Sequence, residues 1–147
     1  MNHNWQRSWY HVADESEIPN SGDFKTLVIG EQPVIVVRSE DQQIRVLFNI
    51  CRHREVMVCH EERGNATRFV CLFHGWIYNT KGNLMGLSGA GDATRTFQER
   101  RGLKSVPRMG IVRGCIFASL NPDGESLETY LKKTKFFDGQ KNVMRRT

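Results

Sequence analysis

Four residues have the types and spacing of a metal centre: Cys51, His53, Cys71 and His74. Cys51 and His53 are two apart, Cys71 and His74 are three apart, and seventeen residues separate His53 from Cys71. Each pair is short enough to sit on one tight loop and aim both side chains at one centre. The segment between them is long enough to run out and return as strands, so the two loops can face each other. Two thiolates and two imidazoles suit a tetrahedral structural zinc. They also suit a [2Fe–2S] cluster with two cysteines on one iron and two histidines on the other. Zinc fingers of this ligand set usually place both cysteines in one pair and both histidines in the other. Here each pair is mixed, so each loop can reach both irons, which favours the cluster and leaves zinc as the alternative.

The chain that must carry these loops reads as short strands separated by turns. Trp9 to Val12, Phe24 to Ile29 and Val34 to Arg38 have strand composition, the last as a buried β-branched run. Between them, Glu17-Ile-Pro-Asn-Ser-Gly-Asp and Gly30-Glu-Gln-Pro33 are turn-rich. Ile44, Val46 and Phe48 alternate with Arg45, Leu47 and Asn49, the pattern of a half-buried strand leading into the first ligand loop. Arg68 to Val70 leads into the second loop and Trp76 to Asn79 leaves it. Thr80-Lys-Gly-Asn then turns the chain toward Leu84 and Met85, and Ser88-Gly-Ala-Gly-Asp reads as a flexible loop. Leu103 to Val106 and Gly110 to Leu120 are expected as closing strands. A single helix is expected from about Leu127 to Lys135, capped by Asp123 or Ser126, with a loose basic tail after Phe137.

A chain of 147 residues suggests one domain. Its formal charge of +5 is mild and comes largely from the last sixteen residues. No nucleic-acid-binding motif accompanies it. No apolar run approaches a membrane span, and the N-terminus has no signal-peptide core. A soluble protein of the bacterial cytoplasm is expected, with no nucleic-acid or membrane partner. Cys59 and Cys115 lie in apolar surroundings and read as buried, reduced small hydrophobes.

The pattern Cys-x-His, a spacer of this size, then Cys-x-x-His-Gly resembles the Rieske motif. The wider resemblance is to the N-terminal domain of the large subunit of bacterial aromatic-ring-hydroxylating dioxygenases. It is carried by Glu17-Ile-Pro, Gly22-Asp-Phe, Asn49-Ile-Cys-Arg-His-Arg, Glu62-Arg-Gly-Asn, Cys71-Leu-Phe-His-Gly-Trp-Ile-Tyr, Gly82-Asn-Leu and Gly114-Cys-Ile-Phe-Ala-Ser-Leu-Asn-Pro. It covers about Trp5 to Leu131. It implies an all-β Rieske fold, with an antiparallel base and an inserted cluster-binding subdomain at about 49–86. The domain would span 1–125, and 126–147 would hold a short helix and a basic tail. Cys51, His53, Cys71 and His74 would bind the [2Fe–2S] cluster. Val56 and Phe73 stand where respiratory Rieske proteins carry a disulfide clamp, and Trp76 where they carry a serine, which favours the oxygenase branch. Glu55, where Gly is common, and Asn79, where Asp is common, depart from the family pattern.

Neutral imidazole ligands leave the cluster less negative than four cysteines would, which raises its potential into a range of about −150 to +300 mV. The low end is expected here. The resemblance implies electron relay from a ferredoxin or reductase donor to a mononuclear Fe(II). That iron would lie in a catalytic domain outside these residues, on a neighbouring subunit of a homo-oligomer. No catalytic residue is assigned: His3, His11 and His60 form no helical pair with a downstream Asp and read as surface histidines. The alternative is a free-standing Rieske ferredoxin. Arg52 and Arg54 could steer an acidic donor or pair locally. Trp76 could dock the donor or lie packed over the cluster. Tyr78 could bond a ligand sulfur or fill the core.

Overall fold

The computed structural model describes residues 9–51, 56–71, 75–86 and 102–134. Among these described residues ten short strands form three antiparallel sheets, with one short α-helix near Lys133. The strands are β1 (Tyr10–Asp14), β2 (Asp23–Ile29), β3 (Gln32–Arg38), β4 (Ile44–Phe48), β5 (Arg63–Asn65), β6 (Arg68–Val70), β7 (Ile77–Asn79), β8 (Leu84–Gly86), β9 (Arg108–Val112) and β10 (Cys115–Ser119). The helix is α1 (Leu127–Lys133). The sheets run β1-β10-β9, β4-β3-β2-β5 and β6-β7-β8.

The four-stranded sheet is the middle layer. Val34 and Val36 of β3, with Ile44 and Val46 of β4, face a core shared with Val12, Ile116 and Ala118 of the β1-β10-β9 sheet. The alternate residues Ile35, Val37 and Leu47 face a second core built with Phe69, Tyr78 and Leu84 of the β6-β7-β8 sheet. Side chains alternate across a strand, so an unbroken apolar run such as that of β3 is what two buried faces require. β4 is therefore not half-buried as its alternation suggested: Leu47 is as deeply buried as Val46, on the opposite face.

Two further expectations are corrected. Gly110 to Leu120 is a hairpin rather than one strand, turning at Arg113-Gly114, both of which have positive φ. That is the two-residue turn whose twist suits a hairpin. Leu103 to Val106 forms no strand; it lies along β4 through Phe48 N–H to Lys104 O (2.7 Å), Val106 N–H to Val46 O (3.0 Å) and one bridge, Leu47 to Ser105. The pattern also gave no sign of β5, which extends the middle sheet beside β2, or of the 3-10 turn at Glu15–Glu17.

Helix α1 starts where Ser126 accepts a hydrogen bond from Thr129 N–H and ends at Thr134. It lays Leu131 on Trp9, Cys115 and Phe117, covering the outer face of the β1-β10-β9 sheet. The Arg108 guanidinium stacks over Trp9 (4.7 Å) and bonds the carbonyls of Asn121, Asp123 and Glu125, which shapes the approach to the helix. The expected Ser88–Asp92 loop and the tail lie outside the described residues.

Candidate metal centre

β4 runs into the first ligand loop and β6 into the second, and the two loops are closed alike. Ile50 bridges Met57, and Cys51 N–H bonds Val56 O at 2.7 Å. Val70 pairs with Ile77, and Cys71 N–H bonds Trp76 O at 2.8 Å. Each cysteine is therefore the first residue of a hairpin tip and bonds the carbonyl five residues on. In the second loop Gly75 N–H returns to Cys71 O at 2.7 Å, with Gly75 at φ 76°, a conformation that an L-residue with a Cβ adopts only at a cost. Cys51 and Cys71 are 0% and 1% exposed and share one core with Trp76, Tyr78 and Leu103.

The first loop is anchored by a residue whose role nothing in the residue pattern marked. Buried Asn49 accepts from Val58 N–H (3.1 Å) and Cys59 N–H (2.8 Å), and its amide donates to Cys59 O (2.8 Å). Its own N–H bonds Pro33 O, tying the loop base to the middle sheet. The second loop and its hairpin are tied down elsewhere. Ser39 Oγ donates to Thr80 O (2.8 Å), and Leu103 N–H bonds Gly82 O. Asn79 Oδ1 accepts from Lys81 and Asn83 N–H, both at 2.9 Å. An aspartate would accept the same two bonds, so this departure leaves the turn intact.

Two open alternatives are resolved. Tyr78 is fully buried and its hydroxyl lies 3.3 Å from Cys51 Sγ, so it both packs and reaches the Cys51 sulfur. Trp76 is 9% exposed within the same core, so it is packed and offers little surface. Cys59 and Cys115 are buried thiols outside any disulfide among the described residues, each raised from the usual thiol pKa first by burial. His11 and His60 are exposed. His53, His74, Arg52, Arg54, Glu55, Phe73 and His3 lie outside the described residues.

The donor set fits a two-iron, two-sulfide cluster. Two buried thiols sit at equivalent positions of twin loops, the chain places one histidine in each loop, and a phenol stands ready to donate to one sulfur. These are features of a Rieske domain. The model of the Rieske [2Fe-2S] domain family matches residues 8–100, and the chain belongs to that family.

Within it, the chain matches the N-terminal region of oxygenase alpha subunits. It is 40% identical over 131 residues to the alpha subunit of biphenyl 2,3-dioxygenase of Rhodococcus jostii (strain RHA1), covering 89% of this chain and 28% of that protein. It is 43% identical over 133 residues to the alpha subunit of N,N-dimethyl phenylurea N-demethylase of Sphingobium sp. (strain YBL2), covering 89% of this chain and 29% of that protein. A solved structure of naphthalene 1,2-dioxygenase from Rhodococcus sp. bound to indole superposes with a TM-score of 0.83 at 39% identity, over 90% of this chain and 31% of that one. The chain thus spans under a third of the length of these relatives. Among the described residues no helix is long and apolar enough to cross a membrane.

Proposed function

We propose that this chain is the electron-relay domain of a ring-hydroxylating oxygenase alpha subunit. Cys51 and Cys71 would hold one iron of the cluster, and His53 and His74 the other. The observation that carries the reading is the pair of equivalent hairpin tips, each opening on a buried cysteine in a shared core. When bound, the cluster supplies a site that takes up and releases one electron. Tyr78 donates a hydrogen bond to the Cys51 sulfur, and Trp76 and Leu103 keep water from the thiolate side. Residues 1–125 would form the Rieske domain, with the cluster-binding part at about 49–86. The donor would be a ferredoxin or reductase. The acceptor would be a mononuclear iron in the catalytic domain of a neighbouring subunit within a homo-oligomer. Similarity over nearly the whole chain to alpha subunits supports this over a free-standing ferredoxin.

The test is iron and sulfide analysis with electron paramagnetic resonance of the reduced protein. Two irons and two sulfides per chain are expected, with an average g below the free-electron value. Cys71→Ser should lose the cluster, whereas Cys59→Ser should keep it. Zinc in place of iron, or loss of iron from Cys59→Ser, would overturn the ligand assignment.

A further inference from the structure

The β1-β10-β9 sheet holds a second constellation of ligand-type side chains, separated from the cluster loops by the middle sheet. In a regular strand, residues three apart point to opposite faces. β1 breaks that rule: its pairing with β10 shifts between His11 and Ala13, so that Val12 is the extra residue of a bulge. His11 therefore stands opposite Phe117 and Asp14 opposite Cys115, on one face of the sheet. The donor atoms of His11, Asp14 and Cys115 all lie within 4.8 Å of one another. His11 Nε2 is 3.1 Å from Asp14 Oδ1, and the Cys115 thiol hydrogen-bonds to the same carboxylate. The His11 ring rests against Phe117, with centroids 5.4 Å apart.

From this geometry we infer that His11, Asp14 and Cys115 form a second metal site, for a borderline-soft divalent cation of the Zn²⁺ type. One nitrogen, one oxygen and one sulfur donor suit such an ion, whereas Mg²⁺ and Ca²⁺ require oxygen cages. Bonds of about 2.0–2.3 Å in tetrahedral array place donors roughly 3.3–3.8 Å apart. The His11–Asp14 pair, at 3.1 Å, falls just short of that spacing, and the half-exposed His11 side chain can make the adjustment. Three protein ligands leave the fourth position to water. β1 is an edge strand of its sheet, so the ion can enter from solvent beside His11. The thiol proton leaves to solvent as the sulfur coordinates. Bound there, the ion clips the first strand to β10. A reactive-thiol reading is disfavoured, because burial, and then Asp14, push Cys115 up to about 11.

The experiment is zinc titration of the cluster-loaded protein by calorimetry, with iron content measured before and after, and X-ray absorption at the zinc edge. One zinc per chain is expected with no loss of iron, and with one sulfur scatterer at about 2.3 Å. His11→Ala, at an exposed position that leaves the fold intact, should weaken binding roughly tenfold or more, as should Cys115→Ser. His60→Ala and Cys59→Ser should bind as the parent does. The inference is overturned by absence of binding, by zinc that enters only as iron leaves, by a sulfur-free zinc shell, or by unchanged affinity in His11→Ala.

Discussion

Replacing Tyr78 with phenylalanine should lower the reduction potential of the cluster by about 30–60 mV. The ring stays in the core, so the change removes one hydroxyl, the one that lies 3.3 Å from Cys51 Sγ. A hydrogen bond to a charged group contributes about 1.5–3 kcal/mol. Both oxidation states place a thiolate at Cys51, so only the part that grows on reduction moves the potential. The added electron makes the sulfur a better acceptor; if roughly half the bond strength is gained then, the difference is about 0.7–1.5 kcal/mol. At about 59 mV per 1.4 kcal/mol for one electron, that corresponds to the shift given. Burial sharpens the effect, because water cannot replace the lost donor at a fully buried position. The assay is spectroelectrochemical titration of parent and variant, with iron content and circular dichroism confirming that cluster and fold are intact. A potential that stays put or rises would refute the argument, and would mean that the hydroxyl serves packing alone.

Glu17 joins three elements: it accepts from Asp14 N–H (2.9 Å) and pairs with Lys25 (3.1 Å) and Arg63 (2.9 Å). Burial pushes its carboxyl up, but these partners outweigh burial and hold it below the usual glutamate value. Its contribution is therefore present above the unfolded pKa and fades as pH falls through the folded one. Glu17→Gln should cost about 1 kcal/mol at neutral pH and less in acid, read from melting curves across pH. Gly82 has φ 93°, and a Cβ there would stand 3.0 Å from Leu103 O. Gly82→Ala should destabilise by about 1–3 kcal/mol in urea unfolding and loosen the cluster hairpin. If Arg52 and Arg54 steer an acidic donor, reduction by a ferredoxin should slow with salt, since exposed charges are screened over about 8–10 Å at physiological strength. Changing both to Gln should remove most of that dependence, measured by stopped flow.

The positions of Cys51 and Cys71 were legible because cysteine is scarce, and the structure buries both where β4 and β6 end. The buried strand at Val34–Arg38 was legible because β-branched apolar runs have few other uses. The burial of Leu47 is not legible, since its place between Arg45 and Asn49 implies one wet face and only the β6-β7-β8 sheet supplies the partner for its side chain. The Arg113-Gly114 turn was passed over because arginine rarely takes a positive φ, and nothing nearby in the chain announces that the hairpin tolerates it. Asn49 carries no local sign of its role, because its partners lie at Val58, Cys59 and Pro33, across a fold that local pattern does not describe. The His11–Asp14–Cys115 cluster depends on one bulge and on a strand more than a hundred residues away.

The two apolar faces of β3 leave its alignment with its neighbours undetermined by hydrophobicity. Sliding the strand by one position would exchange Val34 and Val36 with Ile35 and Val37, trading valines for residues of nearly the same size. In a sheet with one wet face such a slip would expose the core and be rejected at once. Here the choice must be encoded at the ends instead: by the Gly30-Glu31 turn, where both residues have positive φ, and by Asn49, whose N–H seeks Pro33 O. Misaligned folding should therefore be most sensitive to changes at Glu31 and Asn49, residues at the strand ends, and comparatively indifferent to valine–isoleucine exchanges in the interior itself.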